Sequence, residues 1–215
     1  MNKTKNFLNT SQSKLNIIEK NSLLEQGYVV LKRNKKYWFN HGVNITKTRN
    51  EIEKLIKNFK VRTDKFADKD DTYKYEAGTN RLSNLLAVNP IFTKLISIPD
   101  VIECVYSVLG ENMKLSSIGM REPLKGSGYQ GVHLDWKQRN SIDSDFYQIT
   151  AFILLDKVTK KNGAPRIIPK SHNSMVNIKS TSRLKQKRDK KDNQIIERKN
   201  KKNSIKLTGE KGDII

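Results

Sequence analysis

The sequence predicts an α+β chain, with helices in its first half and a β-sandwich or barrel core in its second. Two observations carry this. Apolar residues recur at helical spacing as far as residue 110, and from about residue 113 short strand-like runs separated by turn residues replace them. Hydrophobic residues make up 35% of the 215, enough for a core.

The elements follow in order. Residues 1–12 are polar and are expected to be a flexible terminus. Leu15, Ile18, Leu23 and Leu24 suggest an amphipathic helix with Gly27 as its stop. Tyr28 to Leu31 reads as a short strand. Thr48 and Glu51 have capping-box spacing, and Ile52, Leu55, Ile56 and Phe59 then line one helical face. Residues 62–81 are polar and loop-like. Asn89-Pro90 opens a helix carrying Phe92, Leu95 and Ile96, and Ile98-Pro99-Asp100 opens another that Gly110 ends. In the second half, Lys114 to Arg121 reads as a strand, and Gln148 to Leu155 as a strand buried on both faces. Asn162-Gly163 is a turn pair before a strand at Arg166-Ile167-Ile168. Residues 179–203 form a basic run without periodicity, expected to be an exposed insertion that trypsin cuts first. Ser204 to Leu207 and Asp213 to Ile215 read as two more strands. One domain over 13–215 is expected, helical to about 111 and β-rich from about 112.

Charge and composition narrow the function classes. The net charge is +20, and residues 1–60 and 179–206 each carry +9 of it. A balance of this size attracts nucleic acid or anionic lipid. Lys and Asn are abundant throughout, however, so nucleic-acid binding is not expected as the main role. No apolar run approaches 18 residues and no secretory pattern opens the chain, so a cytoplasmic protein without membrane association is expected. A single Cys, Cys104, excludes a disulfide framework and a cysteine zinc site.

The residues that could carry chemistry lie in Gly126-Ser127-Gly128-Tyr129-Gln130-Gly131-Val132-His133-Leu134-Asp135-Trp136. On a strand, His133 and Asp135 face the same side. An imidazole and a carboxylate so placed can hold two adjacent positions on a metal. With a second His they would form the facial triad of non-haem Fe(II) oxygenases. Read alone, the pair fits equally a His hydrogen-bonded to a neighbouring acid.

Two further stretches accompany this one, Asn80-Arg81-Leu82-Ser83-Asn84-Leu85-Leu86 and Asn162-Gly163-Ala164-Pro165-Arg166-Ile167-Ile168-Pro169-Lys170-Ser171-His172. Together, in this order, they resemble the phytanoyl-CoA dioxygenase family, from about residue 24 to residue 215. The resemblance implies a double-stranded β-helix (jelly-roll, cupin-like) core behind the N-terminal helices, with Fe(II) as cofactor and 2-oxoglutarate as co-substrate. It implies hydroxylation of a C–H bond of a small organic or acyl substrate by dioxygen. By motif, His133 and Asp135 would be iron ligands and Trp136 would pack beside them. Gln130 and Arg121 would reach the co-substrate or a supporting partner. His172 would orient substrate or stabilise its loop. Lys170 stands where the family has Gly, which costs about 1 kcal/mol if that position needs positive φ.

In the family a Gly-Asp-hydrophobic-hydrophobic strand, here Gly212 to Ile215, leads to a Trp-His pair holding the third iron ligand. An Arg further on binds 2-oxoglutarate. Neither lies within these residues. A C-terminally truncated member is therefore expected, missing its closing strands, weak or inactive as an enzyme, and with an unpaired apolar edge near Ile215. The alternative is a catalytically inactive β-helix protein that acts as a binding or interaction module.

Overall fold

The computed structural model describes residues 15–60, 78–131, 133, 135, 145–173 and 201–215. The expected flexible terminus, most of the polar 62–81 stretch, Trp136 and the basic run to residue 200 lie outside the described residues.

Helix α1, Ile17–Asn21, starts at Asn16, whose side chain accepts from Glu19 N while Glu19 reaches back to the Asn16 N–H. It continues as a π-helical turn, Ser22–Gln26, and stops at Gly27 in the left-handed region. Helix α2, Lys35–Asn40, follows an Asn34 cap. It carries too little periodicity to be read from sequence. What holds it is distant: buried Trp38 donates to Gly212 O at 2.9 Å. Gly212 has φ 93°, and a Cβ there would lie 2.7 Å from Trp38 Nε1, so this contact requires glycine.

Helix α3, Ile45–Lys60, begins a turn earlier than Thr48 suggested. The cap is Asn44, whose Oδ1 accepts from Lys47 N at 2.9 Å. Thr48 is instead buried inside the helix, its hydroxyl donating back to Asn44 O. Ile52, Leu55 and Ile56 are buried as the spacing predicts.

Strand β1, Thr79–Leu82, falls inside the half expected to be helical. It pairs antiparallel with β2, Met120–Pro123, in the register Asn80↔Glu122 and Arg81↔Arg121. Between them lie α4, Leu85–Val88, a 3₁₀ segment at Pro90–Leu95, and α5, Pro99–Leu109, ended by Gly110. The strand expected from Lys114 is thus only its last part. Strands β3, Arg166–Ile167, and β4, Ile205–Lys206, form a second two-stranded sheet.

The 148–155 run is not buried on both faces. Phe152 is exposed, and the run joins the rest through an isolated bridge, Ile153↔Ile214. Ile214 also bridges Leu31, so residues around it lie between two neighbours, with Leu31 N donating to Ile214 O at 2.7 Å and Phe152 N to Ile215 O at 2.8 Å. Ile214 is 2% exposed. At Ile214 the edge expected to be unpaired is bridged on both sides, by Leu31 and by Ile153. Among the described residues the structure is mixed helix with two small sheets, and it closes no barrel.

The core comprises two apolar clusters. One gathers Leu31, Trp38, Ile98 and Ile214, the other Ile52, Leu82, Leu85 and Phe92. Leu95 and Leu155 pack against both. Cys104 is buried in the first cluster, where burial pushes its thiol up to about 12, which keeps it from thiolate chemistry at neutral pH.

Asp213 ties this core together at its polar edge. Its buried carboxylate accepts from Lys32 Nζ at 2.7 Å, Arg33 N at 3.2 Å and Glu210 N at 2.7 Å. Burial alone would raise its pKa, but the ammonium and the two N–H donors bring it below the usual carboxylate range. A depressed folded pKa contributes stability above the unfolded value of about 3.9, lost as pH falls through the folded value. Asp213→Asn should cost about 2 kcal/mol at pH 7. It should also make stability less steep in pH from about 5 downwards, measured by urea unfolding across that range. Parallel profiles for variant and parent would show that Asp213 carries none of the acid sensitivity.

Lys170 has φ 63°, so the position where the resembling family has Gly does need the left-handed region. Its N–H donates to Gln26 O at 2.9 Å, a bond that glycine would keep. Lys170→Gly should raise the urea midpoint at unchanged m, a gain of about 0.5–1 kcal/mol in unfolding free energy. A lower midpoint would mean that the Lys side chain stabilises the turn.

Candidate metal centre

The β1–β2 pair frames the site. Thr79 and Asn80 are buried, and Asn80 Nδ2 donates to Glu122 Oε2 across the ladder at 2.6 Å. After Pro123 the chain turns through Lys125-Gly126 and comes back along the ladder. Leu124 N donates to Gly78 O at 2.9 Å, and Ser127 N to Leu124 O at 3.0 Å. Gly128 has φ 70°, and a Cβ there would sit 2.7 Å from Gly78 O, so only glycine allows this approach. The returning chain then carries Gln130, Gly131, His133 and Asp135.

His133 and Asp135 are not on an assigned strand, yet their side chains meet. His133 Nε2 lies 3.1 Å from Asp135 Oδ1, and His133 Nδ1 lies 2.8 Å from Gly131 O. A carbonyl oxygen only accepts, so Nδ1 carries its proton and Nε2 faces the carboxylate. The hydrogen bond to Asp135 raises the His133 pKa. Burial lowers it, the Gly131 carbonyl and the Asp135 charge raise it, and the Arg121 guanidinium lowers it, with a net rise. The Asp135 pKa is lowered by the same hydrogen bond, against burial. Both shifts favour the charged forms, a protonated imidazole beside a carboxylate. Removing the Nε2 proton leaves a nitrogen lone pair directed at a carboxylate, the donor set of a hard or borderline divalent ion.

The other residues singled out from sequence are placed differently. Arg121, exposed on β2, donates from Nη2 to Gly128 O at 2.5 Å and lies 3.5 Å from Thr79 Oγ1. Gln130 is exposed, three residues before His133. Trp136 lies outside the described residues. His172 sits in the short turn Ser171–Asn173, where Nε2 donates to Leu24 O at 2.9 Å. Its ring stacks on Phe146 with centroids 5.8 Å apart and packs on Gly27. These contacts join the turn to the end of the first helical segment. Sequence reasoning missed the Gly131 and Gly128 carbonyls, since backbone acceptors leave no residue-type signal.

A family model described as phytanoyl-CoA dioxygenase matches residues 23–215. The chain belongs to the phytanoyl-CoA dioxygenase family. A search of curated proteins finds no match. Phytanoyl-CoA dioxygenase family members generally are 2-oxoglutarate-dependent dioxygenases, normally use Fe(II), and have a cupin-like fold. Among the described residues, no group of three His, Cys, Asp or Glu side chains converges on a metal position. His133 and Asp135 offer a ring nitrogen and a carboxylate oxygen 3.1 Å apart. Among the described residues, no helix is long and apolar enough to cross a membrane.

Proposed function

We propose that this chain is an Fe(II)- and 2-oxoglutarate-dependent oxygenase that hydroxylates a C–H bond of a small organic or acyl substrate. His133 and Asp135 are two of its iron ligands. The observation that carries the reading is the 3.1 Å approach of His133 Nε2 to Asp135 Oδ1, with Nδ1 held by Gly131 O, in a member of this family.

His133 would supply one neutral nitrogen and Asp135 one carboxylate oxygen. Bound iron supplies the redox chemistry that couples oxidative decarboxylation of 2-oxoglutarate, to succinate and carbon dioxide, with insertion of one dioxygen atom into the substrate C–H bond. The residues of this chain prepare the site. The Gly131 carbonyl holds the Nδ1 proton, which fixes the tautomer and leaves Nε2 for the metal. Gln130, exposed beside the pair, is proposed as a polar contact to the co-substrate, and Trp136 as packing next to Asp135. Residues 13–215 are proposed as one domain whose β-rich part follows the jelly-roll plan of the family.

The test is substrate-independent. With Fe(II), ascorbate, dioxygen and 2-oxoglutarate, the protein should yield a small but measurable excess of succinate over a metal-free control. Succinate at the control level, with no Fe(II)-dependent binding of 2-oxoglutarate, would leave a non-catalytic binding module as the better account.

A further inference from the structure

We infer that Arg121 is a positioning residue: its guanidinium clamps the glycine turn to the β1–β2 ladder and thereby sets the course of the chain that delivers His133 and Asp135. The consequence for metal binding rests on the proposed iron site, whereas the clamp itself does not.

The geometry around the turn supports a clamp in three ways. Arg121 Nη2 donates to Gly128 O at 2.5 Å, a charge-assisted bond to a backbone acceptor five residues before His133. The same nitrogen lies 3.5 Å from Thr79 Oγ1, so strand, guanidinium and turn meet at one place. Ser127 Oγ lies 3.2 Å from Gly78 O and 3.3 Å from Leu124 O, fastening the turn from its other side. Gly78 and Gly128 permit this contact, since a Cβ on Gly78 would lie 2.5 Å from Ser127 Cβ.

The register adds a reason for the clamp. Arg81 and Arg121 stand directly opposite in the antiparallel pair. Like charges so placed repel. Turning the Arg121 guanidinium onto the Gly128 carbonyl gives it an acceptor away from Arg81. A residue that holds ligands through the backbone acts as outer-shell partners do, whose loss costs about 10–100-fold in metal affinity.

The experiment uses the full chain and has two arms. Amide exchange of metal-free protein is followed at Leu124 and Ser127, whose N–H groups are hydrogen-bonded in the turn. Co(II) is then titrated by its visible absorption, with and without 2-oxoglutarate. Arg121→Ala should raise exchange at both amides about tenfold while leaving α3 unchanged. It should also weaken Co(II) about tenfold and shift its spectrum before any 2-oxoglutarate is added. Arg121→Lys, with one donor to offer Gly128 O, should restore part of both effects, and Ser127→Ala should reproduce the exchange effect more weakly. Unchanged exchange in Arg121→Ala overturns the clamp. So does a variant that keeps Co(II) affinity and spectrum and loses only 2-oxoglutarate, because Arg121 would then be a co-substrate ligand. If the parent protein binds no Co(II), the iron-site reading fails, and the exchange arm alone decides the clamp.

Discussion

Arg33→Ala should lower stability by about 3–5 kcal/mol. Arg33 is 12% exposed, and its partners Asp100 and Glu19 are 3% and 15% exposed. Its Nε donates to Asp100 at 3.1 Å, and its Nη1 to Glu19 at 3.2 Å and to Lys32 O at 2.9 Å. The guanidinium also lies over the Tyr37 ring, 5.3 Å from its centroid. Burial alone would lower the Arg33 pKa, but the two carboxylates more than offset it, so the group stays charged. Alanine would leave the buried Asp100 and the half-buried Glu19 without their shared counter-charge. Because Arg33 directly follows the segment that bridges Ile214, α1, α5 and the C-terminal run loosen together. Urea unfolding measures the loss. Converting Asp100 to Asn and Glu19 to Gln in the same chain should recover part of it, since the penalty is the uncompensated charge. A loss under about 1 kcal/mol would mean that the network behaves as a surface ion pair.

His133→Ala should weaken divalent metal binding by more than about tenfold and leave the fold intact. The side chain is partly exposed, and its hydrogen bonds are local, to Gly131 O and Asp135. The magnitude follows from the cost of losing supporting groups, which a direct ligand should exceed. A pH dependence accompanies it. The His133 pKa is raised, so below that value Nε2 holds a proton that the metal must displace. Metal affinity should therefore fall as pH drops through the His133 pKa, with a proton released on binding, and the dependence should vanish in His133→Ala. Isothermal titration in buffers of different ionisation enthalpy reads the proton directly. A pH-independent affinity in the parent would place the metal elsewhere.

What could be read from sequence divides along a physical line. Helix α5 was legible at both ends because its signals are local: Pro99 at the start, Gly110 at the stop. Helix α3 was legible in its buried face but not its start, since Thr48 and Glu51 have capping-box spacing even when both lie within the helix. Helix α2 and strand β1 were not legible. The first is held by Trp38 on Gly212 O, a contact 174 residues apart in sequence, and the second by pairing with β2 some 40 residues later. His133 and Asp135 stood out because two-residue spacing puts chemically suited groups near each other. The irregular backbone that brings them together, and the Gly128 and Gly131 carbonyls that steady them, have no counterpart in side-chain pattern. Arg121 could be found near the site, but its contact with Gly128 O could not.

The most direct test of the account is an anaerobic titration of the full chain with Fe(II) and 2-oxoglutarate, followed by the visible charge-transfer absorption that keto-acid chelation gives to Fe(II). The parent protein should develop this absorption saturably, and both His133→Ala and Asp135→Ala should lose it while keeping parental far-ultraviolet circular dichroism. Absorption of equal strength in the two variants would contradict the assignment of His133 and Asp135 as iron ligands.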